Sequence, residues 1–231
     1  MESDGLLEKL ALGCRIIAMN GHSDIVWGHM SVRDPADPER FWMKGHEVGL
    51  DEVTPQDMVL VDWQGKKLSG TRPRHSEYPI HSEIFRQRPE VQAVIHTHPM
   101  YGTIMASMDA DLQPVTHEGS IFVPPPVPRF NLTTGLIRTQ EQGQALAQQL
   151  GKHRALLMQN HGVVLAGGSI EEATMLAVML EKACQAQLTA MAAGAFRVTP
   201  LEEALDKQLS IYRPDRSRLV WEYYSRKAPR W

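Results

Sequence analysis

Cysteine is nearly absent from this chain of 231 residues: there are two, Cys14 and Cys184. Thiols so few and so far apart make no disulfide framework, and a reducing compartment is the expectation. No apolar run approaches the ~18 residues of a membrane span, and no charged-then-apolar leader opens the sequence. Net positive charge is missing as well, since 24 Lys and Arg face 27 Asp and Glu for a net charge of −3. Neither nucleic acid nor an anionic membrane would be attracted at long range. Basic residues thicken between Arg213 and Arg230, but Asp215 and Glu222 interrupt them, as in a solvated or subunit-facing tail. Repeats and low-complexity segments are absent too. The expectation is a cytoplasmic protein. At this length one core still suffices, because single cores stop growing only near ~250–300 residues. The expectation is a single domain over 1–231 with a C-terminal tail from about 210. What the sequence does hold in quantity is histidine, ten in all.

Hydrophobic periodicity gives the order of elements. Leu6, Leu7, Leu10 and Ile17 predict a helix over 6–20 that stops at Asn20-Gly21. Short strands are expected over 30–33, 41–43 and 58–62, the last turning at Trp63-Gln64-Gly65-Lys66 towards Lys67 and Leu68. A helix over 77–88 ends at Pro89, and an apolar run over 91–96 reads as a buried strand before Pro99. A helix over 139–150 is followed by strands at 155–158 and 163–166, joined through Asn160-His161-Gly162. Ser169, with Glu172 three residues on, predicts a capping box for a long helix reaching about Ala193. The mixture points to an α/β fold with a largely antiparallel sheet flanked by helices.

The histidines carry the chemistry. His96 and His98 stand two apart at the end of the apolar run, so on a strand both imidazoles project from one face. His161, also at a strand end, supplies a third nitrogen. Three histidines with an open fourth position match a catalytic zinc-type site. Taken alone, the pair reads equally as surface or hydrogen-bonded core histidine. Glu77 is the carboxylate placed for proton transfer, although an acidic residue opening a helix also serves the helix dipole. His81, one turn on, stands behind it or packs there.

Taken in order, Ser76-Glu77 with His81, His96-Thr97-His98-Pro99 and Gln159-Asn160-His161-Gly162 resemble the class II aldolase/adducin family. Gly28-His29-Met30-Ser31-Val32-Arg33 resembles the family's G-N-x-S-x-R stretch, and Lys44-Gly45, Asp62 and Gly65 fit its next strands. The likeness runs from about residue 5 to about 210. It implies an α/β/α sandwich around a mostly antiparallel sheet, assembled as a tetramer with sites near subunit interfaces. It implies metal ligands at His96, His98 and His161, one divalent ion per subunit (zinc first, with manganese, cobalt and iron as alternatives), and Glu77 as general acid/base. The family contains sugar-phosphate aldolases, an epimerase, a dehydratase, decarboxylases and the non-catalytic adducin head.

Departures from the aldolases are specific. The family's phosphate-binding asparagine, threonine and first serine are His29, Lys44 and His75 here, leaving only Ser76. Small donors suited to a phosphate have given way to bulky ionisable groups. Glu118, after His117, stands about where aldolases carry a tyrosine. His29, Lys44, Arg74, His75, Ser76, His117 and Glu118 are therefore the expected substrate contacts, with Arg74 as a bidentate carboxylate clasp. Prolines stiffen residues 116–130, where Phe122 and Phe130 suggest an apolar wall for a planar ligand or a rigid inter-subunit loop. The stretch resembles the branch that decarboxylates hydroxylated aromatic acids or their ring-cleavage products, of the dihydroxyphthalate type. The first expectation is thus a metal-dependent decarboxylase of a non-phosphorylated hydroxylated carboxylic acid. The second is an aldolase on a small hydroxy-keto substrate; the third is an adducin-like scaffold.

Overall fold

The N-terminal periodicity becomes α1 (Glu2–Ile17) in the computed structural model, which describes residues 2–230. Leu10, Cys14 and Ile17 fall on one helical face and are fully buried. The helix runs into a π-turn over Ala18–His22, where Gly21 at φ +95° ends it. Both cysteines are buried and unpaired.

The strands are β1 (His29–Arg33), β2 (Arg40–Lys44), β3 (Met58–Asp62), β4 (Lys67–Ser69), β5 (Ala93–Thr97), β6 (Arg129–Phe130), β7 (Ala155–Met158) and β8 (Gly162–Gly167). They form one eight-stranded sheet in the order β4-β3-β2-β1-β5-β8-β7-β6. Every pairing is antiparallel except β6 with β7, so the sheet is mixed. The exception sits at an edge, where a strand delivered by the proline-rich stretch needs few ladder donors.

Strand residues alternate between two cores. Met30, Val32, Ile95, Val163 and Leu165 face one side, with α1, α3 (Met100–Ala106), α4 (His117–Phe122) and α6 (Ile170–Ala193). Val94, Leu156, Val164 and Ala166 face the other, with α2 (Tyr78–Gln87) and α5 (Gln140–Leu150). This two-sided burial is why the apolar runs of β5, β7 and β8 are continuous. No helix among the described residues is long and apolar enough to cross a membrane.

The expected tail from about 210 carries the end of α7 (Leu201–Ile211) and α8 (Pro214–Ser225), and Trp221 packs half-buried against the core. Other details correct the sequence expectations. Helix α3 was not expected, because the groups that hold its start are distant in sequence. Glu181 of α6 accepts the Tyr101 and Gly102 N–H groups at 2.9 and 2.7 Å. Phe122 and Phe130 form no shared ligand wall, for they are buried in opposite cores. Ser169 does cap α6, accepting from Glu172 N–H at 3.1 Å, but the return arm is displaced. Glu172 accepts from Gly168 N–H at 2.7 Å rather than from Ser169.

Candidate active site

His96 lies on β5 between two antiparallel neighbours, opposite His29 of β1 and Val164 of β8. Strand β5 ends at Thr97, so His98 stands just beyond it rather than on it. The two imidazoles still converge, with ring centroids 4.8 Å apart. Thr97 between them is held by His22, whose Nδ1 lies 2.7 Å from Thr97 Oγ1. His161 enters from the β7–β8 turn, its centroid 4.9 Å from His96 and 5.3 Å from His98. The turn depends on Asn160, at φ +53°, a left-handed conformation that asparagine tolerates better than most residues. It depends also on Gly162, where a Cβ would sit 2.5 Å from the Thr97 carbonyl oxygen and 2.7 Å from the His98 ring.

Hydrogen bonds fix which nitrogens face inward. His96 Nδ1–H donates to the Val163 carbonyl at 3.1 Å, which leaves the Nε2 lone pair free. His98 Nδ1–H donates to Asp24 Oδ2 at 2.6 Å, which does the same. One ligand nitrogen from each of the three histidines lies within 4.8 Å of the others. His96 Nε2 and both ring nitrogens of His161 are buried without a hydrogen bond among the described residues. Buried polar atoms are seldom left in that state, and neutral imidazole lone pairs aimed at one point are what a divalent cation takes. The donor set fits the metal.

Glu77 closes the group. Its Oε2 stands 3.7 Å from His96 Nε2 and its Oε1 3.7 Å from His161 Nε2. It occupies the N-cap position of α2 but makes no capping bond to it. Instead Oε1 accepts the Ile137 N–H at 2.8 Å, so the carboxylate is held by the segment before α5. Burial pushes its carboxyl upward, but His96, the Ile137 N–H and His161 outweigh burial and hold it at about 2. Glu77 therefore rests ionised. His161 is pulled down to about 4 by burial and by the neighbouring His96, so it stays neutral and available as a ligand.

The site opens into a cavity of about 480 Å³, walled among others by His29, His75, Ser76, Glu77, His98 and His161. The end where aldolases would hold phosphate is filled with rings. His29 packs against His75 with centroids 4.4 Å apart, and His46 against His75 at 5.0 Å. Behind His29 stands a polar chain, in which His81 Nε2 is 2.6 Å from His29 Nδ1 and His81 Nδ1 is 2.6 Å from Ser31 Oγ. Burial and neighbouring positive groups push His29 well below its ordinary value and His75 to about 2, so these two rings are neutral.

Four expected contacts lie elsewhere. Lys44 is fully buried behind His75, its Nζ donating to the Val26 and Gly45 carbonyls at 3.0 and 3.2 Å. Burial lowers its pKa to about 8. Arg74 turns away, donating to the Gly65 and His75 carbonyls and stacking over Tyr78 at 4.4 Å. Unsatisfied carbonyls and an aromatic face outcompete the cavity for these cations. His117 and Glu118 line a separate cavity beside Met175, Met179 and Ile211, because α4 packs on the opposite face from α2.

Other residues were missed. Asp24 carried no signal, since its partner His98 is distant in sequence. Trp27, His46, Leu136 and Arg138 also line the cavity, from loops whose periodicity says nothing about where they fold. Asp24 yields a test. Asn in its place keeps the shape and removes the anion that orients His98. Metal affinity is expected to fall about 10–100-fold, measured by competition with a coloured chelator; unchanged affinity would remove Asp24 from the site.

Comparison with known proteins agrees with this architecture. Residues 8–188 match the family described as Class II Aldolase and Adducin N-terminal domain. The decarboxylase NovR of Streptomyces niveus is 34% identical over 179 residues, covering 77% of this chain and 66% of that protein. The 3,4-dihydroxyphthalate decarboxylase of Terrabacter sp. (strain DBF63) is 30% identical over 204 residues, covering 81% and 82%. A solved L-fuculose 1-phosphate aldolase from Glaciozyma antarctica PI12 superposes with a TM-score of 0.88 at 29% identity, covering 98% and 89%. The chain belongs to the class II aldolase and adducin N-terminal domain family.

Proposed function

We propose that this protein is a metal-dependent carbon–carbon lyase that decarboxylates a non-phosphorylated, hydroxylated aromatic acid or a related ring-cleavage product. The observation that carries the reading is Glu77, ionised and 3.7 Å from both His96 Nε2 and His161 Nε2, in a cavity whose inner end is uncharged imidazole. Sequence likeness to NovR and to 3,4-dihydroxyphthalate decarboxylase supports the same branch.

His96, His98 and His161 would hold the cation, zinc first among divalent ions that suit three imidazoles. Bound there, it would supply a Lewis acid that draws electrons from two adjacent substrate oxygens. Glu77 starts as a carboxylate and accepts the proton of a substrate hydroxyl as the substrate binds. Electrons from the deprotonated oxygen move into the ring, and Glu77 returns the proton to the carbon bearing the carboxylate. The carbon–carboxylate bond then breaks, carbon dioxide leaves, and its electron pair restores the ring. The phenolate takes one proton from water, so the whole reaction consumes one proton and needs no oxidant.

At the His29 and His75 end a phosphate dianion would meet neutral rings, with Lys44 behind them committed to the Val26 and Gly45 carbonyls. That disfavours the sugar-phosphate substrates of the family. The second reading is an aldolase of a small non-phosphorylated hydroxy-keto compound, favoured by the full-length likeness to L-fuculose 1-phosphate aldolase. Products separate the two. Dihydroxylated phthalates and benzoates, offered with zinc or manganese, should release carbon dioxide from at least one member. Aldehyde release from hydroxy-ketones, with no carbon dioxide from any acid, would favour the aldolase instead.

A further inference from the structure

We infer that Arg138 holds a carboxylate that the substrate keeps, so that the acid decarboxylated here carries two carboxylates, one that leaves and one that stays. The inference rests on the decarboxylase reading and adds the residue that selects within it.

Arg138 lines the cavity shared by Glu77, His98 and His161. Its guanidinium is exposed and, among the described residues, forms no ion pair or hydrogen bond. The backbone beneath it is fixed. Ile137, one residue before, is fully buried and donates its N–H to Glu77 Oε1 at 2.8 Å. Arg138 N–H itself donates to Gln142 Oε1 at 2.8 Å, part of the capping box that starts α5. An anchored backbone carrying an unpaired, forked cation on the wall of the cavity that the proton-transfer carboxylate also lines is the arrangement expected of a residue that positions an anion. Arg74, the arginine expected from the sequence to do this, is already committed to two carbonyls and the Tyr78 ring.

Which carboxylate Arg138 holds follows from charge. The leaving carboxylate becomes neutral carbon dioxide, so a cation paired with it would stabilise the ground state more than the transition state. A carboxylate that stays keeps its charge throughout, and pairing with it orients the ring at no cost to the barrier. Position agrees with this. Glu77 is buried in the cavity wall, whereas Arg138 is exposed, as are Trp27 and Leu136 of the same lining. A planar ring lying along Trp27 and Leu136 would place its hydroxyl pair inward and the retained carboxylate outward.

The test uses zinc-loaded full-length protein, with catechol and 3,4-dihydroxybenzoate as probes that differ only by the retained carboxylate. Calorimetric titration of Arg138→Ala should show 3,4-dihydroxybenzoate weakened roughly 10- to 100-fold, as for loss of a charge-assisted hydrogen bond. Catechol should change by less than about twofold, and Arg138→Lys should restore part of the loss, since it keeps the charge without the fork. Equal weakening of both probes, or of neither, would overturn the role of Arg138 while leaving the decarboxylase reading in place. Wild-type protein that binds neither probe would overturn the decarboxylase reading, and Arg138's role with it.

Discussion

Glu77→Gln is expected to keep its metal and lose turnover, with kcat falling about 10²–10⁴-fold, the usual contribution of a positioned acid/base group. The substitution preserves shape. A glutamine Oε1 accepts the Ile137 N–H as Glu77 does at 2.8 Å, so the segment before α5 keeps its anchor. What disappears is the capacity to take a proton from one substrate atom and give it to another. Glu77 enters that cycle ionised, held at about 2 although burial opposes it. It can therefore act only after accepting a proton, which the substrate hydroxyl supplies. Metal analysis alongside steady-state kinetics separates the outcomes. A variant that binds metal and turns over at the wild-type rate would remove Glu77 from proton transfer. A variant that loses metal would make Glu77 a ligand instead.

His161→Ala should cost more in metal than Asp24→Asn, exceeding the about 10–100-fold typical of losing an outer partner, and should abolish turnover. Its imidazole sits on a turn and its ring nitrogens carry no hydrogen bond among the described residues, so removing it loses the 3.7 Å contact to Glu77 but leaves no strand hydrogen bond broken. His96→Ala should behave alike but is the less clean probe. His96 is fully buried on a strand between β1 and β8, and its Nδ1 bonds the Val163 carbonyl. Truncation there leaves both a void and an unpaired carbonyl. Thermal melts of metal-free wild-type and His161→Ala protein should nearly coincide, and their zinc contents should not. One tightly bound equivalent retained in His161→Ala would contradict the ligand assignment.

The contrast between what was legible and what was not follows sequence distance. Buried strands such as β5 and β8 announced themselves as apolar runs, α5 through periodicity, and α6 through periodicity and the cap Ser169. His96, His98 and His161 stood out because the strand-end motifs place them locally. Residues that depend on tertiary approach did not. Asp24 reaches His98, Ile137 reaches Glu77 and Glu181 reaches α3, each across long sequence separations. Lys44 and Arg74 misled for the complementary reason. A cation near a motif satisfies the nearest unpaired carbonyls, and which carbonyls those are is decided by folding. Arg138 was passed over because nothing local distinguishes it from any other loop arginine.

Metal-dependent decarboxylation is tested most directly by carbon dioxide release from 3,4-dihydroxyphthalate, using wild-type protein stripped by a chelator and then resupplied with zinc or manganese. The predicted result is no release from the stripped protein and recovery when about one equivalent of cation is returned, as one three-histidine site per chain requires. Undiminished release from the stripped protein, or no release after a cation is shown to be bound, would contradict it.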